Sequence, residues 1–167
     1  MKRKILIILI ILFFCVSFGF SITLDLKTKY FEKMKLSAIK IGATYFLMKD
    51  GVVISDIGED YAVWLKNLKR EYNGGNWYYY ELTVKISYPT AFLEKKTILE
   101  QRVQFEFSVD EPLDYEDDGF MEYLAKHFSK INQRIQKEAY IGGREVANLI
   151  ESMLESLGVV IKRNRDY

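Results

Sequence analysis

The sequence predicts an α+β domain: an antiparallel β-sheet of about five strands, built from hairpins, with two C-terminal amphipathic helices packed on one face. Three observations predict it. Apolar and polar residues alternate with a period of two through the middle of the chain, the run Asn73-Gly74-Gly75-Asn76 separates two such stretches, and the period changes to three or four in the last third.

The first element is a targeting segment rather than part of the fold. Lys2, Arg3 and Lys4 precede an unbroken apolar run from Ile5 to Val16, the charged and apolar regions of an export signal. Small residues at Ser17 and Gly19, or at Gly19 and Ser21, allow cleavage before Phe20 or before Ile22. The run 5–20 falls short of the roughly 20 residues of a spanning helix, and Ile22 and Leu24 extend it. Residues 1–21 therefore read as a signal peptide or an N-terminal membrane anchor, and residues 22–167 as a single exported α+β domain. A lipid-modified Cys15 is a weaker reading: Leu12 stands three residues before it, but Phe14 is too bulky for the adjacent position.

Residues 22–30 alternate as a strand does, yet Tyr30, Phe31 and Met34 fit a helix equally, and the fold of residues 22–36 stays open. Between residues 37 and 57, Ile39, Ile41, Ala43, Tyr45 and Leu47 alternate with Lys40, Gly42 and Thr44, and Asp50-Gly51 precedes Val52, Val53 and Ile54; this predicts a hairpin. The stretches 61–72 and 77–87 form a second hairpin about Gly74 and Gly75, which accept the positive φ of a tight turn. Symmetry about that pair matches Tyr72 with Trp77, Arg70 with Tyr79, Leu65 with Val84 and Val63 with Ile86. Val63, Leu65, Tyr80, Leu82, Val84 and Ile86 then face the core, and Trp64, Lys66, Arg70, Tyr72, Trp77, Tyr79, Thr83 and Lys85 face outward. Residues 97–109 supply a further strand.

Phe120, Leu124, Phe128, Ile131 and Ile135 mark one amphipathic helix, and Val146, Leu149, Ile150, Met153, Leu154 and Leu157 mark another. Gly142 and Gly143 are expected to break or kink the path between them, Gly158 to cap the second, and residues 159–161 to add a short strand before the basic tail Lys162, Arg163 and Arg165.

Composition removes whole classes of chemistry. Cys15, the sole cysteine, lies in the export segment, so the exported part forms no disulfide, thiolate metal site or cysteine nucleophile. His127 is the only histidine, which excludes multi-histidine zinc sites. Without residues 1–21 the net charge moves from +1 to −2, against a general nucleic-acid binder. No phosphate-cradling glycine loop, nucleophile elbow or glycosylation sequon is present.

Two surfaces remain as candidates. The outward hairpin face interleaves Trp64, Tyr72, Trp77 and Tyr79 with Lys66, Arg70 and Lys85, suited to stacking and hydrogen bonding. Lys126, Lys130, Arg134 and Lys137 recur at steps of four, four and three as a basic contact stripe on one helix. The acidic stretch Asp110–Asp118 places Asp114, Glu116, Asp118 and Gly119 at calcium-loop positions, but Ala125 stands where the closing glutamate belongs; the plainer reading is charge complementing a helix start. His127, beside an apolar stripe, reads as structural. The sequence thus points to an exported, periplasmic or secreted envelope protein that binds an envelope protein, peptide or glycan without catalysis or cofactor. It is not expected to bind nucleic acid, and to meet a membrane only through residues 5–20. The alternatives are a small hydrolase using carboxylates and a membrane-tethered subunit of an envelope complex.

Overall fold

The computed structural model describes residues 21–161 apart from 56, 58, 90–96 and 114–116. Of the segment 1–21 predicted to direct export, residues 1–20 lie outside the described residues, as does the basic tail. In chain order the elements are β1 (Thr23–Thr28), a 3₁₀ turn (Tyr30–Glu32), α1 (Lys33–Lys49), β2 (Val53–Ile54), β3 (Tyr61–Tyr72), β4 (Trp77–Ser87) and β5 (Thr97–Ser108). Then follow α2 (Asp118–His127), α3 (Gln133–Lys137), a π turn (Glu138–Gly142) and α4 (Gly143–Ser156).

The fold is α+β and its five strands form one sheet, in the order β2-β1-β3-β4-β5. The sheet is mixed rather than antiparallel. β1 pairs in parallel with both β2 and β3, whereas β3–β4 and β4–β5 are antiparallel. The cause is α1, which replaces the expected 37–57 hairpin. A crossover helix lets a chain return to run parallel to the strand it left, which a tight turn does not allow.

The helix α1 is apolar on two sides at once. Leu36, Ile39, Ala43 and Leu47 enter the main core, while Ala38, Ile41, Tyr45 and Phe46 pack on a second cluster around Phe120, Leu124 and Ala139. Two buried stripes erase the single-stripe signature and leave an accidental alternation. Asp50-Gly51 closes the helix instead of a hairpin: Gly51 takes φ 84°, and Val52 N–H donates to Leu47 O at 2.9 Å. Helix ends and hairpin turns both need a residue at positive φ, so the dipeptide alone does not tell them apart.

The β3–β4 hairpin is present, with a register that changes along its length. From Val63 to Lys66 the pairs are those expected, Val63 with Ile86 and Leu65 with Val84. Beyond a bulge at Asn67 and Leu68 the pairing slips by one residue, so that Arg70 faces Tyr80 and Tyr72 faces Tyr78. Asn67 adopts φ 56°, and the Leu68 N–H freed from the ladder donates to Glu32 Oε1 at 3.0 Å. The four-residue turn holds Gly74, Gly75 and Asn76 at positive φ.

α1 and α4 lie over the sheet face carrying Leu24, Leu26, Val63, Leu65, Tyr80 and Phe107, all buried. The C-terminal helices differ from expectation in where they break. Phe128 is extended (φ −127°, ψ 127°), ending α2, and Asn132 restarts the helix by accepting from Ile135 N–H at 2.9 Å. Conversely, Gly142 and Gly143 keep helical backbone, so the helix continues through the π turn into α4. Two interior glycines cost about 2 kcal/mol against alanine, and what they permit is contact. A Cβ on Gly143 would lie 2.5 Å from Gly42 C, and one on Gly142 would lie 2.5 Å from the Phe105 ring. Gly158 caps α4 at φ 83° as expected, whereas residues 159–161 form no strand.

Candidate binding surface

α1 and α4 pack on the first face of the sheet; on the second, Ala62, Thr83 and Ser87 are buried, Trp64, Lys66 and Lys85 are half-buried, and cross-strand register arranges the side chains in rows. One row runs Lys27, Trp64, Lys85, Glu100; the next runs Lys66, Thr83, Arg102. Farther toward the β3–β4 turn come Lys69, Glu81, Gln104 and then Glu71, Tyr79, Glu106. The face is therefore basic around Trp64 and acidic toward the turn. β1 lies within the sheet and covers neither face.

Trp64 is half-buried, with Lys27 Nζ 5.8 Å from its ring centroid, a cation–π distance. Asp25 answers Lys27 at 2.7 Å, and Glu100 answers Lys66 at 3.2 Å. Lys85 and Arg102 have no ion pair among the described residues. The Glu81 carboxyl is held below its usual range, first by the Gln104 hydrogen bond at 2.7 Å and then by Lys69.

Of the predicted outward residues, Trp64, Lys66, Trp77, Tyr79, Thr83 and Lys85 lie on this face. Arg70 and Tyr72 do not: the bulge turns them to the helix side, in register with Tyr80 and Tyr78. There Arg70 Nη1 approaches Glu138 Oε1 at 3.3 Å, Arg134 Nε approaches it at 3.4 Å, and the Tyr80 hydroxyl donates to it at 2.6 Å. Glu138 is 4% exposed. Burial, and after it this hydrogen bond, pushes the Tyr80 hydroxyl well above the ordinary phenol range. Lys27 and Arg102 were missed as members of the site, because Lys27 meets Trp64 only through the parallel β1–β3 pairing, which alternation does not encode.

The basic stripe is dispersed. Lys126 sits in α2 with Glu122 3.0 Å away, Lys130 lies in the break, and Arg134 in α3 is drawn to Glu138. Lys137 is buried, its Nζ donating to the Ser108 and Glu111 carbonyls. His127 is exposed on the last turn of α2, with its Nδ1 2.9 Å from Tyr123 O. In the acidic stretch, Asp114 and Glu116 lie outside the described residues. Asp117 accepts from the Tyr45 hydroxyl and from Lys49 Nζ, each at 2.7 Å. Among the described residues no cluster of three or more metal-ligating side chains occurs.

Partial burial would raise the Asp117 pKa, but the hydrogen bonds from Lys49 and Tyr45 outweigh it and hold the carboxyl below its usual range. A depressed pKa adds stability above the unfolded-state value, lost as the pH falls through the folded-state value. Asp117→Asn should therefore cost about 1 kcal/mol near neutral pH, and that cost should shrink as the pH falls below the ordinary aspartate value of 3.8. Chemical denaturation across that range checks it.

These features define a small α+β protein with one sheet face covered by helices and the other, free of helices among the described residues, charged and centred on a tryptophan. No protein-family model matches the chain, and no curated protein matches it in sequence. Among solved structures it is similar to a minor lipoprotein from Acinetobacter baumannii, at 14% identity over 81% of this chain and 91% of that one, with a TM-score of 0.39. It is also similar to a candidate lipoprotein from Caulobacter crescentus CB15, at 10% identity over 82% of this chain and 93% of that one, with a TM-score of 0.45. No helix among the described residues is long and apolar enough to cross a membrane.

Proposed function

We propose that the chain is an exported, non-catalytic protein of the cell envelope that binds an anionic envelope component, a carboxylated glycan or an acidic peptide, on the open face of its sheet. The observation that carries this is the row of Lys27, Trp64 and Lys85 beside Lys66 and Arg102, with two of those cations free of ion pairs among the described residues. An indole flanked by ammonium and guanidinium groups stacks on a sugar or peptide plane while the cations meet carboxylates. The export segment Lys2–Val16 supports the location. A carboxylate hydrolase is the weaker reading. The buried acid Glu138 is tied to Tyr80, Arg70 and Arg134 inside the fold, the arrangement of a structural ion cluster rather than of a paired acid and base.

Tryptophan emission of a Trp77→Phe variant, in which only Trp64 reports, should change on titration with polygalacturonate and stay constant with neutral dextran. The response should vanish in Lys85→Glu/Arg102→Glu, and in salt of about 1 M, where charges are screened beyond roughly 3 Å. A response to dextran, or one unaltered by the double charge reversal, would sink the proposal.

A further inference from the structure

One end of the sheet gathers large apolar side chains in the open. Ile57 and Val160 are each 82% exposed, and Tyr88 is 53% exposed. Between Ile22, Tyr61, Tyr88, Val159 and Val160 lies a shallow depression of about 430 Å³, with Asp60 at its wall accepting from the Thr23 N–H at 2.8 Å. The Tyr61 and Tyr88 rings stack over it with centroids 5.8 Å apart. Backbone bonds place Ile57 at the same end, since Ser55 N–H donates to Leu24 O and Asp60 N–H donates to Thr23 O. Exposed apolar residues clustered in this way mark a contact surface rather than scattered surface chance.

What meets it follows from where the chain goes. Ser21, the first described residue, lies on the rim of the depression. The apolar run ends at Val16, five residues earlier, so at most about 18 Å of extended chain separates it from this end. Tyrosines and aliphatic side chains side by side are the composition of a membrane–water boundary. Past Ile161 the sequence continues into Lys162, Arg163 and Arg165, the sign that anionic headgroups attract. The opposite end of the sheet, at the β3–β4 turn, also exposes Tyr72 and Trp77, but sets them among Glu71, Glu106 and Asp110, a sign that anionic headgroups repel.

We propose that the Ser21 end of the domain is a membrane-facing surface that rests on phospholipid, with Tyr61, Tyr88, Ile57 and Val160 at the headgroup boundary. This orientation rests on the reading of the chain as an exported envelope protein that keeps residues 5–20 as its anchor, and directs the Trp64 face sideways, clear of the bilayer.

The test is photocrosslinking of the full chain in cells that export it, with benzoylphenylalanine at Val160, at Ile57 or, as control, at Gln104 on the open sheet face. All three sites are exposed, so the fold tolerates the replacements. Intact mass after irradiation should show a phospholipid adduct at 160 and at 57, and none at 104. Absence of a lipid adduct at both end positions overturns the proposal, and so does lipid at all three, which would mean that the domain lies on its open face. Protein adducts in place of lipid at 160 and 57 also overturn it. A glycan or peptide adduct at 104, or its absence, bears on the ligand of the open face and leaves the orientation result readable by itself.

Discussion

Replacing Gly42 with alanine should destabilise the domain by about 3 kcal/mol or more, although alanine is the better helix former by about 1 kcal/mol. The methyl group would sit 1.8 Å from the Ala139 carbonyl oxygen, and the obstacle is backbone, which has no rotamer to escape into. Relief requires α1 and the π turn to separate. That separation would also open the contact between Gly42 and Gly143 and loosen Ile39 and Phe105, which close over Gly142. Thermal unfolding reads the result, at roughly 3–4 °C of Tm for each kcal/mol in a domain of this size. A variant as stable as the parent would show that the helices are not in this close contact.

The second large effect is expected at Glu138. Glu138→Ala leaves Arg70 and Arg134 facing each other with no counter-charge and strips the Tyr80 hydroxyl of its acceptor. Removing one partner of a fully buried ion pair costs roughly 3–5 kcal/mol. Here the two arginine side chains are 34% and 39% exposed and rehydrate in part, so a loss of about 2–3 kcal/mol is expected. Tyr80→Phe removes a hydrogen bond to a charge and should cost about 1.5–2 kcal/mol. The double variant should fall well short of the sum, since both lesions act on one cluster. Additive losses in chemical denaturation would mean that Tyr80 and Glu138 act independently.

The class of fold was legible because the signals it needs are local. The Asn73–Asn76 turn, the alternation of Val63, Leu65, Leu82, Val84 and Ile86, and the Val146–Leu157 stripe each sit in one short window. What was hidden depends on partners distant in sequence. α1 passed for strands because both of its sides are buried by elements that come later. The bulge left a faint trace, since the apolar parity switches from Leu65 to Leu68 across Asn67, a residue type that tolerates positive φ. That switch decides whether Arg70 belongs to the open face or the core. The consecutive buried charges Lys137 and Glu138 give no sign at all, because their partners, Ser108, Glu111, Tyr80 and Arg70, are supplied from elsewhere. The core of the candidate site, Trp64, Lys66 and Lys85, could be named from sequence. Lys27 and Arg102 could not be joined to it without the register.

The place of β1 in the sheet bears on the cleavage that the sequence predicts near residue 21. The first strand of the domain is an interior one, bonded to β2 on one side and β3 on the other. A chain that crosses a membrane N-terminus first would deliver Leu24 and Leu26 early, and they wait for Tyr61 and Val63 before the sheet can close on them. A peptidase working inward from the N-terminus meets its limit at the same strand. Trimming past Ile22 would take Thr23, whose N–H donates to Asp60 and whose carbonyl accepts from the Asp60 N–H, and would pull apart the middle of the sheet rather than fray its edge.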